Sequence, residues 1–277
     1  MKSLIQYGTL VLLILLLGRP VSAQVTISPT AVFLDSNSKV GSLFVANPTS
    51  NPIEIQLGFE FAYPRTNENG SIVIYYEDEE AEEKFSLVPY LRAFPTTFTL
   101  QPNQRQTIRL LANMPADSEN ALYWTRMRIS SSQLTPPIGE VAEGELATQV
   151  TMQIDQVIPV LVHHGETNTG LTIHDTSFVQ NESQGQIFLD VERSGNSPFI
   201  GRAVYRITDS SGSVMVDDMN STSVYFRNNH RIQFDISDWP AGEYRAEITF
   251  ESARSDIRPT FLAQIEPVSE TVTFTIN

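Results

Sequence analysis

The chain has 277 residues, of which 41% are hydrophobic, so it is long enough for two ordinary domains that each bury a core. Its 32 acidic and 18 basic residues give a formal net charge of −14, a surface that would repel nucleic acid and anionic lipid as partners. The chain contains no cysteine, which mildly favours a bacterial exported protein that relies on its cores rather than on disulfides.

The first 23 residues are predicted to be a signal peptide. Lys2 is the positive start, the run Thr9–Leu17 is apolar after its first residue, and Val21-Ser22-Ala23 has the small residues of a cleavage site. The alternative, a retained membrane anchor, needs roughly 18 to 20 apolar residues, and Gly18-Arg19-Pro20 ends this run too early. We therefore expect export and cleavage after Ala23, which would remove two basic residues and no acidic ones.

The mature chain opens with a series of short predicted strands. Residues 25–33 read as an edge strand, because Pro29 cannot donate a hydrogen bond to a sheet. Residues 41–46 and 53–61 follow, and the apolar odd-numbered residues of the second run are expected to face a core. After a short strand at 71–76, the acidic run 77–83 lacks the spacing of a calcium loop, so a solvated loop or a short exposed helix is predicted.

The clearest signal is a group of three strands between residues 94 and 129. Phe98–Leu100 and Thr107–Leu111 are alternating runs joined by the turn Gln101–Gln104, and Leu122–Ile129 is rich in residues that favour strands. No helical period separates them. Strands at this spacing are typical of a β-sandwich that buries one face of each strand.

The longest alternation follows a polar, loop-like stretch at 130–145. Even-numbered residues from Leu146 to Val162 share one face, and at about 3.3 Å per residue the strand would span roughly 50 Å, more than one sandwich needs. A bend or an exit into a second domain is therefore expected, near Pro159 and His163-His164-Gly165.

Beyond Glu166 a second set of short strands begins, with a hairpin turn at 209–212 and a corner at Trp239–Tyr244 that Tyr244 can cap. The predicted fold class is all-β, with two tandem immunoglobulin-like sandwich domains after the signal peptide. The predicted bounds are 1–23 for the signal peptide, 24–164 for the first domain and 165–277 for the second.

Several segments of the first domain resemble, in order, the amino-terminal domain of the periplasmic chaperones that assemble pili and fimbriae (PapD-like). They are residues 28–33, 42–47, 98–110 and 122–124, within about 140 mature residues. The second domain matches only in position and general type.

The resemblance implies that the last strand of the first domain, Leu146 to Val160, is lent to an incomplete pilin sandwich by strand addition. Val150, Met152 and Ile154 would then fill the groove of the bound subunit. The alternative is that this alternation simply faces the core of its own domain, as it does in most sandwiches.

The sequence departs from the family at its charged positions. The family holds a subunit carboxylate with two basic residues in the cleft between the domains, and the matching positions here are the uncharged Thr30 and Pro159. In the family's cluster of ion pairs between the domains, Arg109 matches, the acidic position falls on Asn120, and the other basic position falls on His163.

No chemistry-bearing motif is found beside these segments. His163 and His164 are adjacent and would point to opposite faces of a strand, and no Gly-x-Ser-x-Gly motif is present. We expect no enzymatic activity, metal or cofactor. The predicted function is a periplasmic chaperone-like protein that binds an exported, pilin-like subunit, with an outer-membrane usher as a further partner by resemblance. The alternative is a structural or adhesive envelope protein without chaperone action.

Overall fold

The computed structural model describes residues 25–134 and 152–277, and in them the prediction of an all-β chain of two sandwiches is confirmed. Nine of the strands β1 to β11 form the first sandwich, β5 and β6 pair as a separate two-stranded hairpin, and β12 to β18 form the second sandwich. The elements are β1 (Thr26–Ser28), β2 (Val32–Leu34), β3 (Val40–Ala46), β4 (Ile53–Glu60), β5 (Tyr63–Thr66), β6 (Ile72–Tyr75), α1 (Glu79–Phe85), β7 (Leu91–Phe94), β8 (Thr97–Leu100), β9 (Arg105–Ala112), β10 (Ala121–Gln133), β11 (Gln153–His164), β12 (Thr169–Asn181), β13 (Gln184–Gly195), β14 (Phe199–Asp209), β15 (Val214–Val224), β16 (Arg227–Asp235), β17 (Gly242–Glu251) and β18 (Val268–Ile276).

The first sandwich packs a four-stranded sheet, in the order β1-β3-β9-β7, against a five-stranded sheet, in the order β2-β11-β10-β4-β8. Ile53, Ile55 and Leu57 of β4 are buried, as the alternation predicted. In β10, Met127 and Ile129 are fully buried in the core between the sheets. These residues of β4 and β10 therefore give one face of their strands to the core between the sheets, as the period of two requires.

Two elements differ from the sequence prediction, and a third, the acidic run, forms the short helix that was one of its two predicted alternatives. The acidic run forms α1, which begins after Asp78, whose Oδ1 accepts a hydrogen bond from the Ala81 amide at 3.0 Å. Its inner side buries Ala81 and Phe85, so the helix is anchored and not simply solvated. A further strand, β7, precedes the predicted three. The polar residues up to Gln133 also belong to β10, since strands on both sides pair with them.

The second sandwich packs a three-stranded sheet, β12-β13-β16, against a four-stranded sheet, β15-β14-β17-β18. The predicted corner is present: the Tyr244 hydroxyl donates to the Pro240 carbonyl at 2.7 Å. The first sandwich has the same device, because the Tyr123 hydroxyl donates to the Glu119 carbonyl at 3.0 Å. Both tyrosines close a turn four residues upstream and fix the start of a core strand.

An aromatic cluster joins the two sandwiches. Trp124, 1% exposed, stacks on Phe85 and meets Tyr225 edge to face, with ring centroids 4.9 Å apart in each case. Tyr63 adds a contact to Phe226 at 4.9 Å. Because such rings carry large apolar areas, this cluster holds the sandwiches together much as a core would.

The chain passes from the first sandwich to the second at Gly165, directly after β11. Its φ of +64° is a left-handed conformation, and a Cβ there would lie 1.8 Å from the Asn120 side-chain oxygen. The Asn196 side chain donates to the Asn120 carbonyl at 2.6 Å, and the Leu122 amide donates to the Asn196 carbonyl at 3.1 Å. The passage is therefore tight, and only glycine fits it without strain.

Candidate functional site

The candidate site is one flank of β11. Along its whole length β11 pairs with β10, from Gln153 opposite Ser132 to His164 opposite Ala121. On its other flank β2 pairs with it in parallel, but only at Val160, Leu161 and Val162. Within the described residues, no strand pairs with that flank from Gln153 to Pro159. We call this stretch the open edge.

Pro159 indicates which backbone groups the open edge presents. A proline inside a sheet is tolerated where its missing N–H would have pointed away from the partner strand. Pro159 is opposite Arg126 on β10, so we expect its nitrogen to face away from β10. By alternation the amides of Gln153, Asp155 and Val157 then point out of the sheet as well. An extended chain laid beside them would find a row of unpaired donors and acceptors.

The predicted groove-filling side chains continue the core-facing side of β11. Ile158, Val160 and Val162 on that side are buried in the first sandwich. Ile154 is only half-buried, and Met152 is 65% exposed. Val150, the third predicted residue, lies outside the described residues. The apolar side of the strand therefore extends beyond the part that is buried in the first sandwich.

The two positions that match the family's carboxylate anchors lie in different surroundings. Thr30 is exposed in the bend between β1 and β2. Pro159 is half-buried and lines a cavity of about 270 Å³ between the sandwiches, which we call the cleft cavity. Arg126, directly opposite Pro159 on β10, lines the same cavity and is 7% exposed.

Sequence reasoning missed Arg126. It shares a face of β10 with Leu122 and Trp124, which are both buried. An arginine in phase with two large apolar residues is the signal that could have found it, because a cation at such a position is normally paired or close to a functional site.

The two residues predicted between the domains are placed differently. His163 lies at the junction: its Nδ1 is 2.8 Å from the Thr167 hydroxyl and its Nε2 is 2.9 Å from the Phe261 carbonyl. Burial lowers the pKa of His163, and the nearby Lys39, which donates to the His163 carbonyl at 2.6 Å, lowers it further. Arg109 is exposed on β9, since its neighbours Ile108 and Leu110 take the core side, and it makes no ion pair with any described residue.

Two other kinds of feature are absent from residues 25–134 and 152–277. No group of three or more histidine, aspartate or glutamate side chains is placed to bind a metal ion. No helix in this part of the chain has the length and apolarity needed to cross a lipid bilayer.

Several solved structures of pilus chaperones are similar to this chain. No protein-family model matches it, and neither does any curated protein. The Pseudomonas aeruginosa CupB2 chaperone is 11% identical with a TM-score of 0.39, and the match covers 91% of this chain and 100% of that one. A chain of the CsuC–CsuE chaperone–tip adhesion subunit pre-assembly complex of Acinetobacter baumannii is 12% identical, with a TM-score of 0.37 over 89% and 98%. The E. coli chaperone DraB is 10% identical, with a TM-score of 0.39 over 92% and 96%. Likenesses of this size carry no argument about function.

Proposed function

We propose that this protein is a non-enzymatic periplasmic chaperone that binds an exported, pilin-like subunit by β-strand addition at the open edge. The observation that supports the proposal is the unpaired flank of β11 from Gln153 to Pro159. An edge with unpaired donors and acceptors binds an extended chain through main-chain hydrogen bonds, and side chains on alternate positions set its register. Residues 24–164 would form the chaperone domain that carries this edge, and 165–277 the second domain.

The side chains beside the edge support a partner with an incomplete core. Ile154 of β11, and Met152 directly before this strand, lie on its core-facing side, beyond the part that their own sandwich buries. If the added strand belongs to a second sandwich that lacks one strand, these side chains enter its core. Together with Val150 they would be the partner-binding residues. The alternative of a structural envelope protein predicts no such partner.

The backbone part of the proposal is tested with Val157→Pro. This change removes one outward amide and leaves the ladder with β10 intact, so the fold is expected to survive. Binding of an extended peptide with alternating apolar residues should weaken by about tenfold, the value of one lost hydrogen bond and the misfit of the ring. Isothermal titration calorimetry measures the affinity. Unchanged binding would contradict the use of this edge.

The side-chain part is tested with Met152→Asp, and Gln153→Asp is the matched control. Both residues are exposed, so neither change should affect the free energy of unfolding by more than about 0.5 kcal/mol. Met152→Asp places a charge in the partner's core and should abolish capture of the subunit, whereas Gln153→Asp, on the opposite face, should not. Equal capture by the two variants would refute the assigned face.

A further inference from the structure

A pocket of about 370 Å³ lies beside the cleft cavity, between the hairpin β5–β6 and the second sandwich. We call it the hairpin pocket, and its volume is in the range of small-molecule sites. Its lining consists of residues 64–66 and 70–72 of the hairpin and of residues 220–223, 228, 230 and 231 of β15 and β16. The open edge ends at Pro159, which is not part of this lining, so the pocket is independent of an added strand.

The hairpin pocket carries two positive charges and no negative one. Arg65 and Arg231 line it, whereas no aspartate or glutamate does, although the whole chain has 32 acidic and only 18 basic residues. In the described part of the chain, neither arginine forms an ion pair. The Arg65 guanidinium lies over the Tyr75 ring, 3.5 Å from its centroid, and Arg231 donates from Nη1 to the Asn69 carbonyl at 2.9 Å. Both guanidinium groups therefore keep N–H donors for a ligand.

The inner end of the pocket is polar and buried. Thr222, Asn228 and His230 belong to the lining and are 5%, 7% and 8% exposed. The Nδ1 atom of His230 is 3.3 Å from the Thr222 hydroxyl, but its Nε2 atom has no hydrogen-bond partner among the described residues. A buried polar atom without a partner costs free energy, which a polar occupant of the pocket would offset.

The pocket is held in shape by contacts between the hairpin and the second sandwich. The Asn229 amide donates to the Thr66 hydroxyl oxygen at 2.6 Å, and the Thr66 amide donates to the Asn228 side-chain oxygen at 3.3 Å. At Gly70 the φ is +69°, and a Cβ there would lie 2.6 Å from the Arg231 Cβ, so glycine lets the hairpin turn lie this close to β16. The two arginines, one from each side, are thus brought to one pocket before any ligand binds.

We propose that the hairpin pocket binds a small phosphate-bearing ligand, with Arg65 and Arg231 holding the phosphate from two sides. A phosphate presents oxygens in several directions, so it can accept bonds from two guanidinium groups that come from different elements, whereas the oxygens of a carboxylate lie in one plane. The hydroxyls of Ser71, Ser221 and Ser223 in the lining can donate to the remaining oxygens. The inference adds a small-molecule site to the protein and does not depend on the proposed function.

The site is tested by isothermal titration calorimetry of the full-length mature protein with inorganic phosphate and with glycerol 1-phosphate, at constant ionic strength. We expect one saturable site with a Kd of about 1 mM or tighter, because two charge-assisted contacts are made. Glycerol is the neutral control and should not bind. Tighter binding of the ester would identify a phosphate monoester as the ligand, and tighter binding of inorganic phosphate would identify the free ion.

The assigned residues are tested with Arg65→Gln and Arg231→Gln, which should each weaken phosphate binding at least about tenfold. Arg65→Gln leaves the bonds that hold the hairpin intact, so its effect reports the lost charge. The control is Arg245→Gln on β17, an exposed position outside the lining, which changes the net charge equally and should leave the Kd unchanged. Equal weakening by all three variants, or no saturable binding by the wild type, would overturn the site. Either result would leave the proposed function, which concerns β11, untouched.

Discussion

Replacing Arg126 with Met should stabilise the protein. The arginine is almost wholly buried, and no described residue pairs with it. Substituting well-packed hydrophobic residues for buried ion pairs gains about 1 to 4 kcal/mol, and an unpaired charge has no attraction to lose. None of its guanidinium nitrogens is fully enclosed, because they border the cavity, so water still reaches them. We therefore expect the lower part of that range, about 1 to 2 kcal/mol.

The measurement is urea unfolding, followed by the fluorescence of Trp124 in a Trp239→Phe background. With a slope of about 2 kcal/mol per M, the midpoint of Arg126→Met should rise by about 0.5 to 1 M relative to its parent. Arg128→Met is the control and should shift the free energy of unfolding by no more than about 0.5 kcal/mol. A loss of more than about 1 kcal/mol in Arg126→Met would show that the guanidinium makes stabilising contacts in the folded protein, which would refute this reasoning.

Three further predictions concern stability. Burial lowers the pKa of His230 from 6.5 to about 4, so the unfolded chain binds more protons than the folded chain between these pH values, and stability falls as the pH drops. The free energy of unfolding should decrease by about 2 kcal/mol between pH 7 and pH 5. A His230→Gln variant that loses as much as the wild type in urea titrations would contradict this. Gly165→Ala should lower the free energy of unfolding by at least about 1 to 2 kcal/mol, because φ at this position is positive and the new Cβ would meet Asn120. A melting temperature equal to that of the wild type would argue against the tight passage. Tyr244→Phe should cost about 1 kcal/mol in chemical denaturation through the lost bond to Pro240, with Tyr76→Phe, an exposed tyrosine, as a control that should cost nothing.

The sequence predicted strands correctly where side chains alternate between one hydrophobic core and solvent. The strands around residues 98–111 and the corner at Tyr244 were predicted for this reason, and both are confirmed. The helix α1 was only half predicted. Its acidic residues indicate solvent, and the role of Phe85 depends on Trp124, which is distant in the sequence. Local patterns do not contain such tertiary contacts.

The candidate site was predicted as a strand but not as a surface. Alternation places Met152 and Ile154 on one face, yet whether that face is covered depends on where β2 stops pairing. Arg126 was missed because an isolated arginine in a strand normally reads as a solvent-facing residue. It lines the cleft cavity together with Tyr225 of the second sandwich, and no pattern near residue 126 reveals this neighbour.

The attachment of the hairpin β5–β6 has a kinetic consequence. The hairpin comes from the chain of the first sandwich, but Thr66 and Asn69 are hydrogen-bonded to Asn229 and Arg231 of the second, so swinging the sandwiches apart would break these bonds. The angle between the two sandwiches is then fixed before a partner polypeptide binds. Nearly all of the ordering entropy of association falls on the incoming polypeptide, and capture should proceed in one concentration-dependent step with no slow closure after it.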